Sequence, residues 1–243
     1  MMIKYPKPIK VSILYDNLSY RDDMIKDWGF SCLIQGMPRT ILFDTGASGK
    51  ILLGNMAKLG LTPQQIETVL ISHDHRDHTG GLASLLEENQ NIDVWLPNFF
   101  SQTFKDSIGA KGADLVEVKE FQNICADVYT TGVIPGWIKE QSLILDTHRG
   151  LILITGCAHP RVVTIIDHVL SWFDSPIYLV MGGFHLAGFE KMEIQALITS
   201  FRQARVQKVG PAHCSGELSH ALFKSAYGSD YLKIGVGREI VIS

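Results

Sequence analysis

The stretch Ser72-His73-Asp74-His75-Arg76-Asp77-His78 places three histidines and two aspartates in seven residues, directly after an apolar run. Imidazole and carboxylate groups together suit zinc, iron or manganese far better than calcium or magnesium. In an irregular loop, side chains two positions apart can turn to the same side. We therefore expect His73 and His75 to bind one metal ion. Asp77 and His78 then face a second ion.

Polar loops follow five apolar runs that are typical of buried strands, and four of these loops carry histidine. Because ligand sites in layered α/β proteins gather beyond the carboxyl ends of strands, we expect the loops to meet at one edge. Four ligands from one loop cannot saturate two ions, so His159 and His213 are the candidates that complete the site. The loops are Asp44–Gly46, Ser72–His78, Gly156–His159, Gly182–His185 and Pro211–Cys214.

Apolar runs alternate with helical patterns along the whole chain, which predicts an α/β layered sandwich and not a helical bundle or a barrel. The runs 142–146 and 151–155 flank a short turn around Gly150 and predict a hairpin. The chain has no linker-like segment, low-complexity stretch or convincing repeat. We therefore expect a single domain over residues 1–243.

The composition favours a globular protein: 46% of the 243 residues are hydrophobic, 19% are charged, and the formal net charge is -3. No basic block is available for a phosphate backbone, so we expect a small-molecule substrate and no nucleic-acid partner. Residues 1–8 lack the apolar core of a signal peptide, and no apolar stretch reaches membrane-helix length. A cytoplasmic protein without a membrane partner is expected, and it is a candidate homo-oligomer. The four cysteines show no CxxC pairing, which favours buried thiols or a metal or redox role over disulfides.

The segment His73–Gly81 resembles the HxHxDH signature of the metallo-β-lactamase superfamily, and Ile41–Gly46 resembles the motif that precedes it. The resemblance implies a four-layer αββα sandwich with a mono- or dinuclear metal site at one edge. Three other segments are similar to a subgroup of this superfamily that contains dihydropteroate-synthase-like enzymes. These segments are Gly156–Pro160, Gly182–Leu186 and His213–Gly216.

The resemblance also implies roles for single residues. His213 matches the last ligand of the superfamily and joins Asp77 and His78 at the second metal. Asp44 is expected to brace the ligand loop without touching the metal. Asp77 is expected to orient or deprotonate water as well, which makes it a candidate catalytic residue.

Two departures from the superfamily pattern concern the remaining ligands. The loop that usually supplies a third histidine reads Val133-Ile-Pro-Gly-Trp137 here, and Cys157 stands where many relatives place a bridging aspartate. His159 can restore the missing histidine from another backbone position. Cys157 is either a further metal ligand or a buried apolar filler.

Three residues are candidates for contact with the substrate. His185 is a candidate catalytic proton donor, with a metal-ligand role or an ordinary hydrogen-bonded loop histidine as alternatives. Arg161 is expected either to clamp a phosphate or carboxylate or to be a solvated surface residue. Trp137 is expected either to stack on a planar ring or to lie in the core.

The resemblance implies a metal-dependent hydrolase that uses metal-activated water on a small ester or phosphoester. The expected cofactor is one or two divalent ions, zinc ahead of manganese or iron. The alternative is a transferase that condenses a dihydropterin methyl diphosphate with an aminobenzene ribofuranosyl phosphate. A nonhaem iron oxidoreductase ranks third, because oxygen-reducing relatives typically carry glutamate at a histidine of this loop and His75 is present.

Overall fold

The computed structural model describes residues 8–242, so the predictions for residues 1–7 fall outside it. The strands are β1 Ile9–Tyr15, β2 Ser31–Gln35, β3 Ile41–Phe43, β4 Thr68–Leu70, β5 Asp93–Pro97, β6 Asp114–Val118, β7 Gln122–Cys125, β8 Val128–Thr130, β9 Leu143–Thr147, β10 Gly150–Thr155, β11 Ile177–Gly183, β12 Lys208–Ala212 and β13 Glu239–Ile242. The α-helices are α1 Gly49–Lys58, α2 Arg76–Thr79, α3 Leu82–Glu88, α4 Gln102–Gly109, α5 Val162–Trp172, α6 Lys191–Gln203 and α7 Glu217–Tyr227.

The strands form two mixed sheets. The first has the order β13-β1-β2-β3-β4-β5-β6, and β3 to β6 run parallel in it. The second has the order β12-β11-β10-β9-β8-β7, and β10 to β12 run parallel. The predicted hairpin is present as the antiparallel pair β9 and β10.

Alternating side chains of the central strands build three apolar layers, because successive residues of a strand point to opposite faces. On β10, Ile152 and Ile154 pack between the two sheets, whereas Leu151 and Leu153 pack against α5, α6 and α7. Helices α1, α3 and α4 cover the outer face of the first sheet in the same way. The result confirms the predicted α/β layered sandwich and the αββα layer order that the family resemblance implies.

The parallel strands deliver the polar loops to one edge of the sandwich. Strands β3, β4, β10, β11 and β12 end directly before the loops that carry Asp44, His73, His159, His185 and His213. This arrangement follows from chain direction, since the carboxyl ends of parallel strands lie on the same side of a sheet.

Two local predictions need correction. The histidine-rich segment is not irregular throughout, because Asp77 and His78 lie on the short helix α2, for which His75 is the N-cap. Strand β7 was not predicted, since Gln122–Cys125 is a partly exposed end strand without an apolar run. Among residues 8–242, no helix is long and apolar enough to cross a membrane.

Candidate metal centre

One group of ligands consists of His73, His75 and His159, with one nitrogen of each ring lying within 4.8 Å of the others. Nε2 of His73 is 3.0 Å from Nδ1 of His75. Both ring nitrogens of His159 are buried and have no hydrogen-bond partner. Buried polar atoms are rarely left unpaired, so the His159 ring is poised for a ligand outside the chain.

A second group consists of Asp77, His78 and His213, which are also close enough to share one ion. Oδ2 of Asp77 lies 3.2 Å from Nε2 of His213 and 3.7 Å from Nε2 of His78. Nε2 of His213 makes no hydrogen bond despite the short separation from Asp77. The two groups share no residue, and the His73 and His78 rings are 4.2 Å apart between centroids.

Asp44 and Ser72 set the orientation of the first histidines. Asp44 accepts hydrogen bonds of 2.7 Å from the Ser72 backbone N–H, from the Ser72 hydroxyl and from Nδ1 of His78. Because the Ser72 hydroxyl donates to a carboxylate, its oxygen can only accept from Nδ1 of His73, 2.8 Å away. His73 therefore directs an unprotonated Nε2 into the centre, and His78, with its Nδ1 held by Asp44, directs its Nε2 to the same place. This is the bracing role expected for Asp44.

Asn17 fixes His213 in the same way. Its amide Nδ2 donates to the His213 carbonyl over 3.0 Å, and its Oδ1 accepts from the Gly29 N–H over 3.1 Å. Oδ1 therefore also accepts from Nδ1 of His213, at 3.0 Å. Nε2 of His213 then faces an oxygen of Asp77 at 3.2 Å, so either a proton or a metal ion has to lie between the two atoms.

Glu140 holds the loop that carries His159. Its Oε1 accepts the backbone N–H groups of Gly156, Cys157 and Ala158 at 2.9–3.0 Å, and its Oε2 accepts that of His159 at 2.9 Å. The side chain is fully buried. Burial raises the pKa of Glu140 to about 7, although the four N–H donors favour the carboxylate.

The two ligand groups differ in protonation. Burial lowers the pKa of His73, His75 and His159, to about 3 for His159, and neighbouring imidazoles add to the effect at His73 and His159. At His78 burial acts in the same direction, but the Asp44 carboxylate outweighs it and raises the pKa to about 9. The first group is thus unprotonated near neutral pH, whereas the second holds a proton that an ion must displace.

The donor set fits divalent metal ions. Each group offers three nitrogen or oxygen ligands, and three protein ligands leave a position open for water or substrate. The unpaired nitrogens of His159 and His213 and the fixed tautomers of His73, His78 and His213 agree with this use. The residues present therefore fit one ion at each group.

A third cluster adjoins the first two. Cys157, His185 and Cys214 also bring their ligand atoms within 4.8 Å of one another. Cys157 faces the second group too, because its Sγ lies 3.3 Å from Nε2 of His78. Contact with Cys214, together with burial, raises the pKa of the Cys157 thiol.

Backbone strain is concentrated at this edge. In residues 8–242, seven residues other than glycine have positive φ, and five of them belong to these loops. Such conformations cost about 1–3 kcal/mol each and cluster at functional sites. The five residues are Asp44, Ala158, Arg161, His185 and His213.

Two cavities open beside the centre. One, of about 510 Å³, is lined by His159, His185 and Arg161 together with apolar residues of α5 and α6. Arg161 is exposed and forms no ion pair with a carboxylate within residues 8–242, so its guanidinium is available to an anion. Trp137 is 88% exposed and lines neither cavity, so the prediction that it lies in the core is wrong.

The other cavity, of about 770 Å³, lies beside His213. Trp28 forms part of its wall, is 56% exposed, and has its ring 5.0 Å from the His213 ring. Lys224 and Lys233 line the same cavity together with Glu217, so positive side chains outnumber negative ones on its wall. His220 lies in this wall, and its Nδ1 is 3.0 Å from the Tyr231 hydroxyl oxygen.

The structure brings together Asp44, His73, His75, Asp77, His78, Cys157, His159, His185 and His213, all of which the sequence singled out. Sequence reasoning missed Ser72, Glu140, Asn17, Trp28 and Cys214. Asn17 follows β1, which pairs antiparallel with both of its neighbours, so the rule for the ends of parallel strands does not mark it. No sequence signal marks Glu140, since its partners are backbone N–H groups of a distant loop.

Two buried sheets with metal-ligand loops at one edge define a metallo-β-lactamase fold. Residues 39–126 match the family model described as the beta-lactamase superfamily domain. A solved metal-dependent hydrolase of the beta-lactamase superfamily is 26% identical, with a TM-score of 0.82 over 97% of this chain and 99% of its own. The chain therefore has the metallo-β-lactamase fold and is similar to proteins of this superfamily along nearly its whole length.

Two other proteins extend the comparison. A relative from Methanocaldococcus jannaschii is 26% identical over 93% of each chain and is named 7,8-dihydropterin-6-methyl-4-(β-D-ribofuranosyl)-aminobenzene-5′-phosphate synthase. The short form of human tRNase Z is 14% identical, with a TM-score of 0.64 over 96% of this chain and 99% of its own. At that identity only the fold is shared.

Proposed function

We propose that the protein is a metal-dependent hydrolase that acts on a small ester or phosphoester carrying an anionic group. The observation that carries this proposal is the pair of adjacent three-ligand groups that share no residue. We further propose two zinc ions as the cofactor, one held by His73, His75 and His159. The other is held by the Asp77 group.

Bound divalent ions supply Lewis-acid chemistry, which lowers the pKa of water and polarises the electrophile. The chain's own residues do the remaining work. Asp77 places its Oδ2 beside Nε2 of both His78 and His213, where it can orient the attacking water and accept its proton. Its pKa is lowered by the His213 and His78 rings, which outweigh burial, so this carboxylate is ionised at neutral pH.

Positioning of the substrate is assigned to the cavity of about 510 Å³. Its apolar walls on α5 and α6 can hold the body of the substrate, and Arg161 can hold a phosphate or carboxylate. His185 is exposed at the rim beside His159, with ring centroids 4.4 Å apart. From there it can donate a proton to the leaving group.

The test is hydrolysis of chromogenic esters, phosphodiesters and lactones by metal-free protein that has been reloaded with zinc, manganese or iron. We expect turnover with zinc or manganese. We also expect a loss of at least about 100-fold in kcat in Asp77→Ala and His75→Ala, with less bound metal. Asp74→Asn is the matched control, because Asp74 lies in the same loop but is exposed. Wild-type metal content in both alanine variants would contradict the proposal.

A transferase reaction is the second candidate, and two observations favour it. The relative from M. jannaschii, which matches along nearly the whole chain, is named a synthase. The two cavities on either side of the centre can hold two substrates at once. The test supplies a dihydropterin methyl diphosphate with and without an aminobenzene ribofuranosyl phosphate. Diphosphate release that requires the second compound supports transfer, whereas release with water alone supports hydrolysis.

A further inference from the structure

The cluster of Cys157, His185 and Cys214 is not used by the proposed reaction as a whole. Nine potential ligands lie at this edge, and three groups of three among them share no residue, whereas a fourth group of His73, His78 and Cys157 overlaps all three. Two of these groups contain only imidazoles and a carboxylate. The third contains two thiols and one imidazole.

We propose that Cys157, His185 and Cys214 form a further cation site for a soft or borderline ion, of the class of Cu⁺ or Zn²⁺. Thiolate ligands select such ions over magnesium, calcium or manganese. The ligand atoms lie within 4.8 Å of one another, which is close enough for one ion to bind all three. Three protein ligands again leave one position open.

The surrounding backbone holds these three side chains together. The N–H of Phe184 donates to the Ser215 hydroxyl over 3.1 Å, and the N–H of Ala187 donates to the Cys214 carbonyl over 3.2 Å. These bonds tie both sides of His185 to the turn that carries Cys214. His185 itself has a φ of 52°, a strained conformation that turns its ring toward the thiols.

Close packing at Gly183 keeps Cys214 beside the loop of Cys157. A Cβ atom at Gly183 would lie 2.3 Å from the Gly156 carbonyl oxygen, 2.8 Å from Sγ of Cys214 and 3.1 Å from Cα of Cys157, so a larger residue would require this packing to shift. Sγ of Cys214 is 3.7 Å from the Cys157 carbonyl oxygen. The two thiols are therefore buried next to each other, and the backbone at Gly183 and at Cys157 packs against Cys214.

An ion can reach this cluster without unfolding of the chain. Both thiols are buried, but His185 is exposed. His185 lines the cavity of about 510 Å³, and Cys214 lines the cavity of about 770 Å³. The cluster therefore lies between two open cavities, which supply an entry path for an ion.

The competing explanation is that Cys157 alone ligates the main centre, since it also lies close to His73 and His78. A change at Cys214 distinguishes the two explanations, because Cys214 belongs only to the thiol cluster.

In the experiment, the metal-free protein is titrated with Co²⁺ without oxygen. The number of bound equivalents and the thiolate-to-cobalt charge-transfer absorption are measured. Neither readout depends on turnover, so the result is independent of the proposed hydrolysis.

We expect the charge-transfer band in the wild type, and loss of more than half of its intensity in Cys214→Ser. Cys214→Ser and His185→Ala should each bind about one equivalent less than the wild type, because two ligands hold an ion far less well than three. If Cys214→Ser fails to fold, His185→Ala still tests the proposal, because the His185 side chain is exposed. Cys125→Ser is the control and should match the wild type.

Two results would overturn the proposal. One is a wild-type protein that binds Co²⁺ without a thiolate charge-transfer band. The other is unchanged band intensity and unchanged equivalents in Cys214→Ser, which would assign Cys157 to the main centre alone.

Discussion

Oδ1 of Asn17 lies 3.0 Å from Nδ1 of His213, although the two residues are 196 positions apart in the chain. Asn17 follows the first strand and His213 follows the twelfth, so this contact joins the first sheet to the second at the ligand edge. It also decides which nitrogen of His213 is free for a ligand.

Replacement of Asn17 by alanine should weaken the second ion. The His213 ring loses the acceptor that fixes its tautomer, and such outer partners typically contribute 10- to 100-fold to metal affinity, so we expect a loss of about that size. Zinc competition with a chromogenic chelator measures the change. Asn123→Ala, on the distant strand β7, should leave the affinity unchanged. Equal affinities in Asn17→Ala and the wild type would show that Asn17 does not position His213.

Glu140→Gln should disturb the His159 loop. A glutamine keeps one acceptor oxygen but presents an NH₂ group to the remaining N–H donors, so at least one buried N–H loses its partner. We expect a loss of about 1–3 kcal/mol in the free energy of unfolding, together with weaker binding at the His159 group.

Urea unfolding and zinc titration measure these two changes. Glu88→Gln, at an exposed position of α3, is the matched control and should behave like the wild type. Unaltered stability and zinc affinity in Glu140→Gln would mean that the four hydrogen bonds of Glu140 do not hold the loop.

The two ligand groups should respond differently to pH. His78 has a pKa of about 9 in the metal-free protein, so below pH 9 an ion must displace its proton. Affinity at the Asp77 group should therefore rise about tenfold per pH unit between pH 6.5 and 9. The histidines of the other group have lowered pKa values, so their affinity should change little across the same interval.

The variants separate the two groups for this measurement. His75→Ala retains the Asp77 group, and Asp77→Ala retains the His159 group. Calorimetric zinc titrations at several pH values, in buffers of different ionisation enthalpy, report both affinity and proton release. The same pH dependence in both variants would contradict the assignment of the proton to His78.

Arg161→Ala should raise KM for anionic substrates about tenfold with little change in kcat, because a charged hydrogen bond of roughly 1.5 kcal/mol is lost in binding. Neutral esters should be unaffected. Trp137→Ala serves as the contrast, since Trp137 is exposed and lines neither cavity. An equal rise in KM for neutral and anionic esters would remove Arg161 from substrate recognition.

The positions of His73, His159 and His213 could be predicted because each follows a buried parallel strand, and the ends of parallel strands meet at one edge. Asn17 also follows a buried strand, but β1 pairs antiparallel with both of its neighbours and an amide is not a typical metal ligand, so neither pattern marks this residue. The short helix under Asp77 and His78 was missed, since four residues carry no measurable periodicity.

Other parts of the site depend on contacts that no local pattern encodes. Glu140 binds backbone N–H groups, which are the same for nearly every residue type, so the sequence of the partner loop holds no sign of it. The pairing of Cys157 with Cys214 requires β10, β11 and β12 to lie side by side. Trp28 reaches His213 only after both sheets have assembled.

The most direct test of the two-ion centre is anomalous diffraction from crystals of the zinc-loaded protein. We predict one anomalous peak bound by His73, His75 and His159 and another bound by Asp77, His78 and His213. An absence of zinc at either group, in crystals soaked with zinc in excess at pH 8, would contradict the account.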